Sequence, residues 1–112
     1  MGLSKSDFFS EEQNELAAML KALGHPARVA IMQFLVKQSS CICGDIVDVI
    51  PLAQPTISQH LKELKAVGLI QGTISGNAIC YCVNPDKINF LQAAIGEFIP
   101  PKQACDSNSS CC

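Results

Sequence analysis

The residues with the most distinctive chemistry in this sequence are its seven cysteines. They form two Cys-x-Cys pairs and a group of three near the carboxyl terminus: Cys41 and Cys43, Cys80 and Cys82, and Cys105, Cys111 and Cys112. Thiolates prefer soft ions such as trivalent arsenic, cadmium and lead to hard cations, and pairs of thiols also oxidise to disulfides. Clustered cysteines therefore indicate either a metal-binding site or a redox site.

The choice between these chemistries depends on the cellular compartment. The first residues, 1–7, are polar and no apolar run follows them, which is not the pattern of a secretory signal. The longest stretch without a charged residue, 66–85, contains glycines, asparagines and a proline, so it is not a membrane helix. We therefore expect a cytoplasmic protein with no membrane partner. Stable disulfides are disfavoured there, so we expect metal-binding or redox-active cysteines rather than a disulfide-stapled fold.

The composition sets the size and class of the protein. A chain of 112 residues with 48% hydrophobic residues allows one compact domain and excludes intrinsic disorder. The net charge of −2 gives no bulk electrostatic argument for a nucleic-acid partner. No nucleophile–base pair or phosphate-binding loop has a recognisable spacing, so we expect a protein that is not an enzyme.

Apolar periodicity and turn residues predict mostly helical elements with one hairpin. Helices are predicted over about 11–23, 26–38, 44–50, 55–67 and 84–98, with strands over 69–74 and 78–83. Ser10 and Gln13 form a capping-box pattern at the start of the first helix. The order α-α-α-α-β-β-α is typical of a winged helix-turn-helix. We expect this domain to span residues 1–99 and residues 100–112 to form a flexible, cysteine-rich tail.

The fourth helix has the composition of a DNA-reading helix. On a helical wheel Ile57, Leu61 and Leu64 form one buried stripe. The remaining surface carries amides, hydroxyls and one cation, which suit base edges and phosphates. The candidate DNA-binding residues are Gln54, Thr56, Ser58, Gln59 and Lys62. An ordinary solvated helix face has the same composition, so that interpretation stays open.

The two histidines are interpreted as structural residues. His60 falls on the shoulder of the buried stripe, where a packed or hydrogen-bonded side chain is expected rather than a base reader. His25 precedes Pro26 at a helix start, where we expect a local capping group. Two histidines so placed cannot form a metal site by themselves.

Three segments resemble the ArsR/SmtB family of metal-responsive repressors: 23–32, 52–64 and 68–70. The resemblance covers about residues 12–98. It implies a winged-helix homodimer paired through the first and last helices, bound to two-fold-symmetric, double-stranded operator DNA and released by an inducer. Ala53 stands where the family often has a serine N-cap, a difference of about 1 kcal/mol if nothing replaces the cap.

The resemblance also bears on the thiols. Family members that sense arsenic(III) or antimony(III) carry a Cys-x-Cys before the third helix, which implies that Cys41 and Cys43 are ligands. Gly44 separates this pair from Asp45, so the pair is displaced by one residue from the family pattern. A further candidate ligand set lies in the tail: Cys105, Cys111 and Cys112. Cys80 and Cys82 face one side of the second wing strand, where they either pack or bind a ligand.

Three functions follow from these patterns. The first is a repressor that needs no cofactor to bind DNA and that arsenic(III) or antimony(III) releases from its operator. The second keeps DNA binding but responds to thiol oxidation, or to cadmium or lead. The third, from another class, is a thiol-rich metal buffer or interaction module without operator DNA.

Overall fold

The computed structural model describes residues 8–44, 46–76 and 78–99. The predicted tail, with Cys105, Cys111 and Cys112, lies outside the described residues. The elements run in chain order as α1 (Glu11–Leu23), α2 (Pro26–Val36), α3 (Ile46–Val49), α4 (Gln54–Ala66), β1 (Ile70–Ser75), β2 (Ala78–Val83) and α5 (Pro85–Gly96). This order confirms the predicted winged helix-turn-helix.

Two helices have different ends from those predicted. Helix α3 is shorter than the predicted 44–50, and Gly44 before it has φ 93°, a left-handed conformation that a helix does not contain. Helix α5 ends at Gly96 rather than near Phe98. The amide of Phe98 instead donates to the carbonyl oxygen of Ile95 at 3.0 Å, a tighter turn that often follows a helix.

The predicted capping box at the start of α1 is present. The Ser10 hydroxyl oxygen accepts a hydrogen bond from the amide of Gln13 at 3.0 Å. The Gln13 side-chain oxygen in turn accepts from the Ser10 amide at 2.9 Å. Two backbone donors that the helix cannot satisfy are thus paired, which fixes where α1 begins.

Helix α4 ends in a Schellman motif that directs the chain into the wing. Gly68 has φ 83°, its amide donates to Lys65, and the amide of Leu69 donates to Leu64. The turn leads the chain directly from α4 to the first wing strand. Leu69 and Ile70, which follow the turn, are both buried.

The core lies between α1, α2, α4 and the base of the wing. The predicted stripe of α4 is confirmed, since Ile57, Leu61 and Leu64 are all buried. The largest fully buried side chains come from every one of these elements: Met19, Ile31, Leu35, Ile57, Leu64, Leu69 and Ile70. One platform therefore supports both the outer face of α4 and the wing.

The wing is an antiparallel pair with register Ile70↔Val83 through Ser75↔Ala78. Gly76, with φ 62°, lies in the turn between the strands. A third, very short piece joins this sheet, because Ile42 forms an antiparallel bridge with Tyr81. No helix in the described part of the chain is long and apolar enough to cross a membrane.

Candidate nucleic-acid interface and thiol cluster

The outer face of α4 is open to solvent. The five predicted DNA-binding residues are all exposed: Gln54, Thr56, Ser58, Gln59 and Lys62. They lie on one helix whose opposite side is buried, so their side chains can reach a groove without disturbing the core. The structure thus leaves all five accessible on the solvent side of α4.

One member of this surface already has a partner. The side-chain amide of Gln59 donates to a carboxylate oxygen of Glu63 at 3.0 Å, one helical turn further on. Such a contact orients the amide along the helix. This contact uses one of the two N–H donors of Gln59, so the other N–H and the side-chain oxygen can still contact a base edge. Ser58 and Lys62 have no such contact among those described.

The start of α4 lacks a side-chain cap. Ala53 occupies the N-cap position with φ −65° and ψ 148°, and no side chain accepts a hydrogen bond there. The cost of about 1 kcal/mol expected from the sequence is therefore not offset by another side-chain cap.

His60 anchors the buried side of α4. Its ring is 7% exposed, and its Nδ1 accepts a hydrogen bond from Nε of Arg28 at 3.1 Å. Arg28 also donates from Nη1 to the carbonyl oxygen of Ala22 at 3.2 Å. This confirms His60 as a packed, hydrogen-bonded residue, because its acceptor faces α2 rather than solvent.

The second histidine caps a helix, as predicted. Nδ1 of His25 accepts from the amide of Ala27 at 3.1 Å, at the start of α2. The rings of His25 and His60 lie 4.5 Å apart between centroids.

This environment lowers the pKa of His60 below its ordinary 6.5. Burial is the largest cause, because it disfavours the charged ring. The nearby charges of His25 and Arg28 act in the same direction. Because Nδ1 accepts from Arg28, the neutral form of this ring carries its proton on Nε2.

The thiols form a cluster that the sequence did not indicate. Cys41 is bonded to Cys82 and Cys43 to Cys80, with Cα–Cα distances of 4.4 and 4.1 Å. The first two cysteine groups of the sequence are thus one group in space. The sequence interpretation, which kept them apart, is wrong on this point.

Strand pairing explains why the cysteines meet. Ile42 and Tyr81 exchange both backbone hydrogen bonds, each at 2.8 Å. The positions on either side of such a pair are non-hydrogen-bonded, and there opposite Cα atoms approach to about 4.5 Å. The two cysteines that flank Ile42 therefore face the two that flank Tyr81. The matched spacing of the two Cys-x-Cys pairs was the available sequence signal.

All four side chains lie on one face of this small sheet, since residues two apart on a strand point the same way. Cys41 and Cys43 are exposed, Cys82 is half-buried and Cys80 is buried. With the sulfurs bonded in pairs, the described residues contain no group of three or more histidine, cysteine, aspartate or glutamate side chains placed to hold a metal ion.

The segment that carries Cys41 and Cys43 also leads into the DNA-reading unit. Helix α3 begins three residues after Cys43 and packs against α4. Ile46, which begins this short element, and Ile50, which directly follows it, are buried in the same core as Ile57. A displacement of the 41–43 segment would therefore shift residues that pack against α4, the helix that carries the candidate DNA contacts.

Comparison with known proteins identifies the family. The profile described as "Bacterial regulatory protein, arsR family" matches residues 25–71, which include α2, α3 and α4. An HTH-type transcriptional regulator of Methanocaldococcus jannaschii is 32% identical over 88 residues, which are 78% of this chain and 98% of that protein. The chain belongs to the ArsR family. The resemblance noted in the sequence is confirmed.

Other relatives of this ArsR-family chain are regulators too. The HTH-type transcriptional repressor SmtB of Mycobacterium tuberculosis is 41% identical over 63 residues, 56% of this chain but only 46% of that protein. The arsenical resistance operon repressor of Staphylococcus xylosus is 29% identical over 81% of this chain and 86% of that protein. The chain thus matches less than half the length of SmtB. Transcriptional regulators are not enzymes, which confirms that prediction.

A solved structure shows the same fold. The transcriptional repressor BigR from Xylella fastidiosa superimposes with a TM-score of 0.61 at 27% identity, over 88% of this chain and 99% of that one.

Proposed function

We propose that this ArsR-family chain is a cytoplasmic, operator-binding repressor, and that arsenic(III) or antimony(III) releases it from DNA by binding cysteine thiolates. The observation that carries the proposal is the position of Cys41 and Cys43. They lie in the segment that pairs with the wing through Ile42 and leads into α3, which packs on α4. Binding an inducer there would act directly on the elements that carry the candidate DNA contacts.

The exposed face of α4 supports operator binding. Ser58, Gln59 and Lys62 supply a hydroxyl, an amide and a cation for base edges and phosphates, and double-stranded operator DNA is the partner. The charge is modest, because residues 59–65 contain two lysines and one glutamate, a net of +1. We therefore expect few phosphate contacts and a shallow dependence of affinity on salt.

The first and last helices support a homodimer. Helices α1 and α5 pack together, with an ion pair between Glu15 and Lys87. A groove of about 670 Å³ lies beside them, lined by apolar side chains that include Leu20 and Phe98. Both are exposed in the single chain, at 39% and 62%. A second copy that covers this surface would bury them and produce the two-fold symmetry that a symmetric operator requires.

Release follows from the way the inducer would shift a conformational equilibrium. An inducer changes DNA affinity only if it binds the DNA-free arrangement more tightly than the DNA-bound one. Thiolates of Cys41 and Cys43 drawn onto one arsenic atom fix the segment before α3. Because α3 shares the core with α4, the arrangement of the 41–43 segment and that of α4 are coupled.

The test is operator binding by the reduced, metal-free chain. The DNA fragment upstream of its own gene is titrated in a gel shift, with and without arsenite. We expect arsenite to release DNA from the natural chain but not from the C41S/C43S variant, which should still bind DNA. A C105S/C111S/C112S variant tests the tail in the same way. A full arsenite response in both variants would contradict the proposal, and so would failure of the natural chain to bind the fragment.

Thiol oxidation is a second candidate input, favoured by the pairing of Cys41 with Cys82 and of Cys43 with Cys80. Each disulfide forms when two thiols lose two protons and two electrons to an oxidant such as a diazene or a persulfide. DNA release by diamide without release by arsenite would favour this input over the metalloid.

A further inference from the structure

We infer that Cys80 and Cys82 belong to the inducer site, and that in the reduced protein three of the four thiolates on the wing sheet, from Cys41, Cys43, Cys80 and Cys82, bind one arsenic(III). The inference deepens the proposed function and relies on it for the identity of the ligand. It assigns to the wing strand β2 a part in sensing, where the family resemblance implied only Cys41 and Cys43.

The sheet supplies enough donors for trivalent arsenic. Trivalent arsenic accepts three thiolates, and the Cys-x-Cys pair before α3 supplies two. The nearest additional sulfurs described in the structure are those of Cys80 and Cys82, which lie close enough to Cys43 and Cys41 to be bonded to them. The third donor is therefore in place in the folded chain.

The donors are arranged on one side of the sheet. Opposite Cα atoms are 4.4 and 4.1 Å apart, and the four side chains project from one face of the sheet. Trivalent arsenic keeps a lone pair, so its three ligands lie on one side of the atom. Donors that all rise from one surface suit this pyramidal geometry better than one that requires ligands on every side.

Backbone hydrogen bonds hold the donors in position. The reciprocal hydrogen bonds between Ile42 and Tyr81, at 2.8 Å each, hold the two strands in the register that brings the cysteines together. These bonds do not involve sulfur, so reduction of the disulfides does not remove them. A donor set that the backbone holds in place loses less conformational entropy on binding than one on a free segment.

Solvent can reach the site from one side. Cys41 and Cys43 are exposed and Cys82 is half-buried, whereas Cys80 is 4% exposed. An arsenic atom would meet the outer pair first and then the wing thiols. Once bound, it would tie the segment before α3 to β2.

The binding step needs no oxidant or reductant. Arsenous acid, As(OH)₃, loses three hydroxyl groups, and three S–H protons combine with them to give three waters. Three As–S bonds replace three As–O bonds, and arsenic stays trivalent. A sulfur in a disulfide has no proton or free valence to give, so the oxidised chain should not bind.

The experiment measures arsenite binding to the reduced full chain without DNA. As–S bonds absorb in the near ultraviolet, which gives the affinity, and intact-protein mass spectrometry gives the composition. We expect a mass gain of one arsenic atom less three hydrogens. Cysteine alkylation after binding, mapped by peptide, should leave three of the four sheet thiols protected and the tail thiols labelled.

The variants test the donor count. Each single serine variant, such as C82S, leaves three thiols and should keep the tri-thiolate signal. The double variants C80S/C82S and C41S/C82S leave two and should lose it, with affinity about 10²-fold lower because one intramolecular donor is gone. The C105S/C111S/C112S variant is the matched control and should bind normally. Since Cys80 is buried, C41S tests the same point if C80S/C82S does not fold, because the three sheet thiols that remain include both Cys80 and Cys82.

The outcomes separate this inference from the proposed function. Full-affinity tri-thiolate binding by C80S/C82S or C41S/C82S, or loss of binding in the tail variant, would overturn the inference. Tri-thiolate binding at the sheet without DNA release would support the inference and contradict the proposed inducer. DNA release by arsenite that depends on the tail cysteines would contradict the inference and support the inducer.

Discussion

The outer face of α4 and the cysteine face of the wing sheet are built in different ways on the same core. The α4 face comes from one continuous helix, with its exposed residues set by helical periodicity. The cysteine face joins two segments whose bonded residues are 41 and 37 positions apart in the chain. A surface formed by one helix has its side chains in position whenever that helix forms. A surface formed by two segments also requires those segments to pair in the correct register.

This difference suits the two proposed tasks. A DNA-reading surface benefits from a rigid scaffold with a fixed display of side chains. A sensing site is more useful where two parts of the fold meet, because a bound ligand can change their relation. Here the meeting point is the bridge of Ile42 with Tyr81, between the α3 approach and the wing.

The largest expected effect comes from the core that both surfaces share. Leu64 is fully buried in α4, so Leu64→Ala should lower the free energy of unfolding by about 2–5 kcal/mol. Urea denaturation measures the loss, and we expect DNA binding and arsenite binding to fail together. Leu52→Ala, at an exposed position outside the helix, is the control. Loss of only one activity in Leu64→Ala would contradict a shared platform.

A second change should separate the two surfaces. Ile42→Pro removes the amide that donates to Tyr81, a hydrogen bond worth about 1 kcal/mol, and disturbs the register of the cysteines. We expect arsenite affinity to fall by about fivefold, which is that free energy converted. Operator affinity without arsenite should fall by less than arsenite affinity, because α4 keeps its own buried stripe of Ile57, Leu61 and Leu64 on the core.

Ile42→Val keeps the amide and serves as the control for that change. If Ile42→Pro bound arsenite as tightly as Ile42→Val does, the backbone bridge would not be what holds the thiols in place.

A third change acts on the α4 face alone. Lys62→Ala should weaken operator binding and reduce the slope of log affinity against log salt by about 1, as expected for one lost phosphate contact. Fluorescence anisotropy at several salt concentrations measures this slope. Lys21→Ala, a lysine in the last turn of α1, is the control. An unchanged slope in Lys62→Ala would assign Lys62 to a solvated face without DNA contact.

The smallest expected effect is a pH dependence of the α4 anchor. Because the pKa of His60 is lowered below 6.5 in the fold, the unfolded chain binds this proton more readily. The contribution of His60 to stability is thus fully present above pH 6.5 and is lost as the pH falls from 6.5 through the lowered pKa. Protonation also removes the acceptor that Arg28 uses.

Urea denaturation between pH 7.5 and 5 compares the natural chain with His60→Gln, which cannot titrate. We expect the natural chain to lose more stability over this range than the variant. If the stability of the natural chain and that of His60→Gln depended equally on pH, His60 would not be the source of the pH dependence.

Much of the fold follows from local patterns. The capping box of Ser10 and Gln13, the stripe of Ile57, Leu61 and Leu64, and the cap role of His25 each depend on residues within a few positions of one another. Helical periodicity and capping chemistry act at that range, so the sequence is enough to predict them. The outer face of α4 follows from the same periodicity.

What the sequence by itself determined is the family, the winged-helix order and the residues that α4 presents to solvent, because these are local patterns. The tertiary structure alone decided that Cys41 and Cys43 face Cys82 and Cys80. The physical reason is strand register: a shift of one residue between Ile42 and Tyr81 would turn every cysteine away from its partner. That register is held by pairing and burial across the fold, and no short segment contains it.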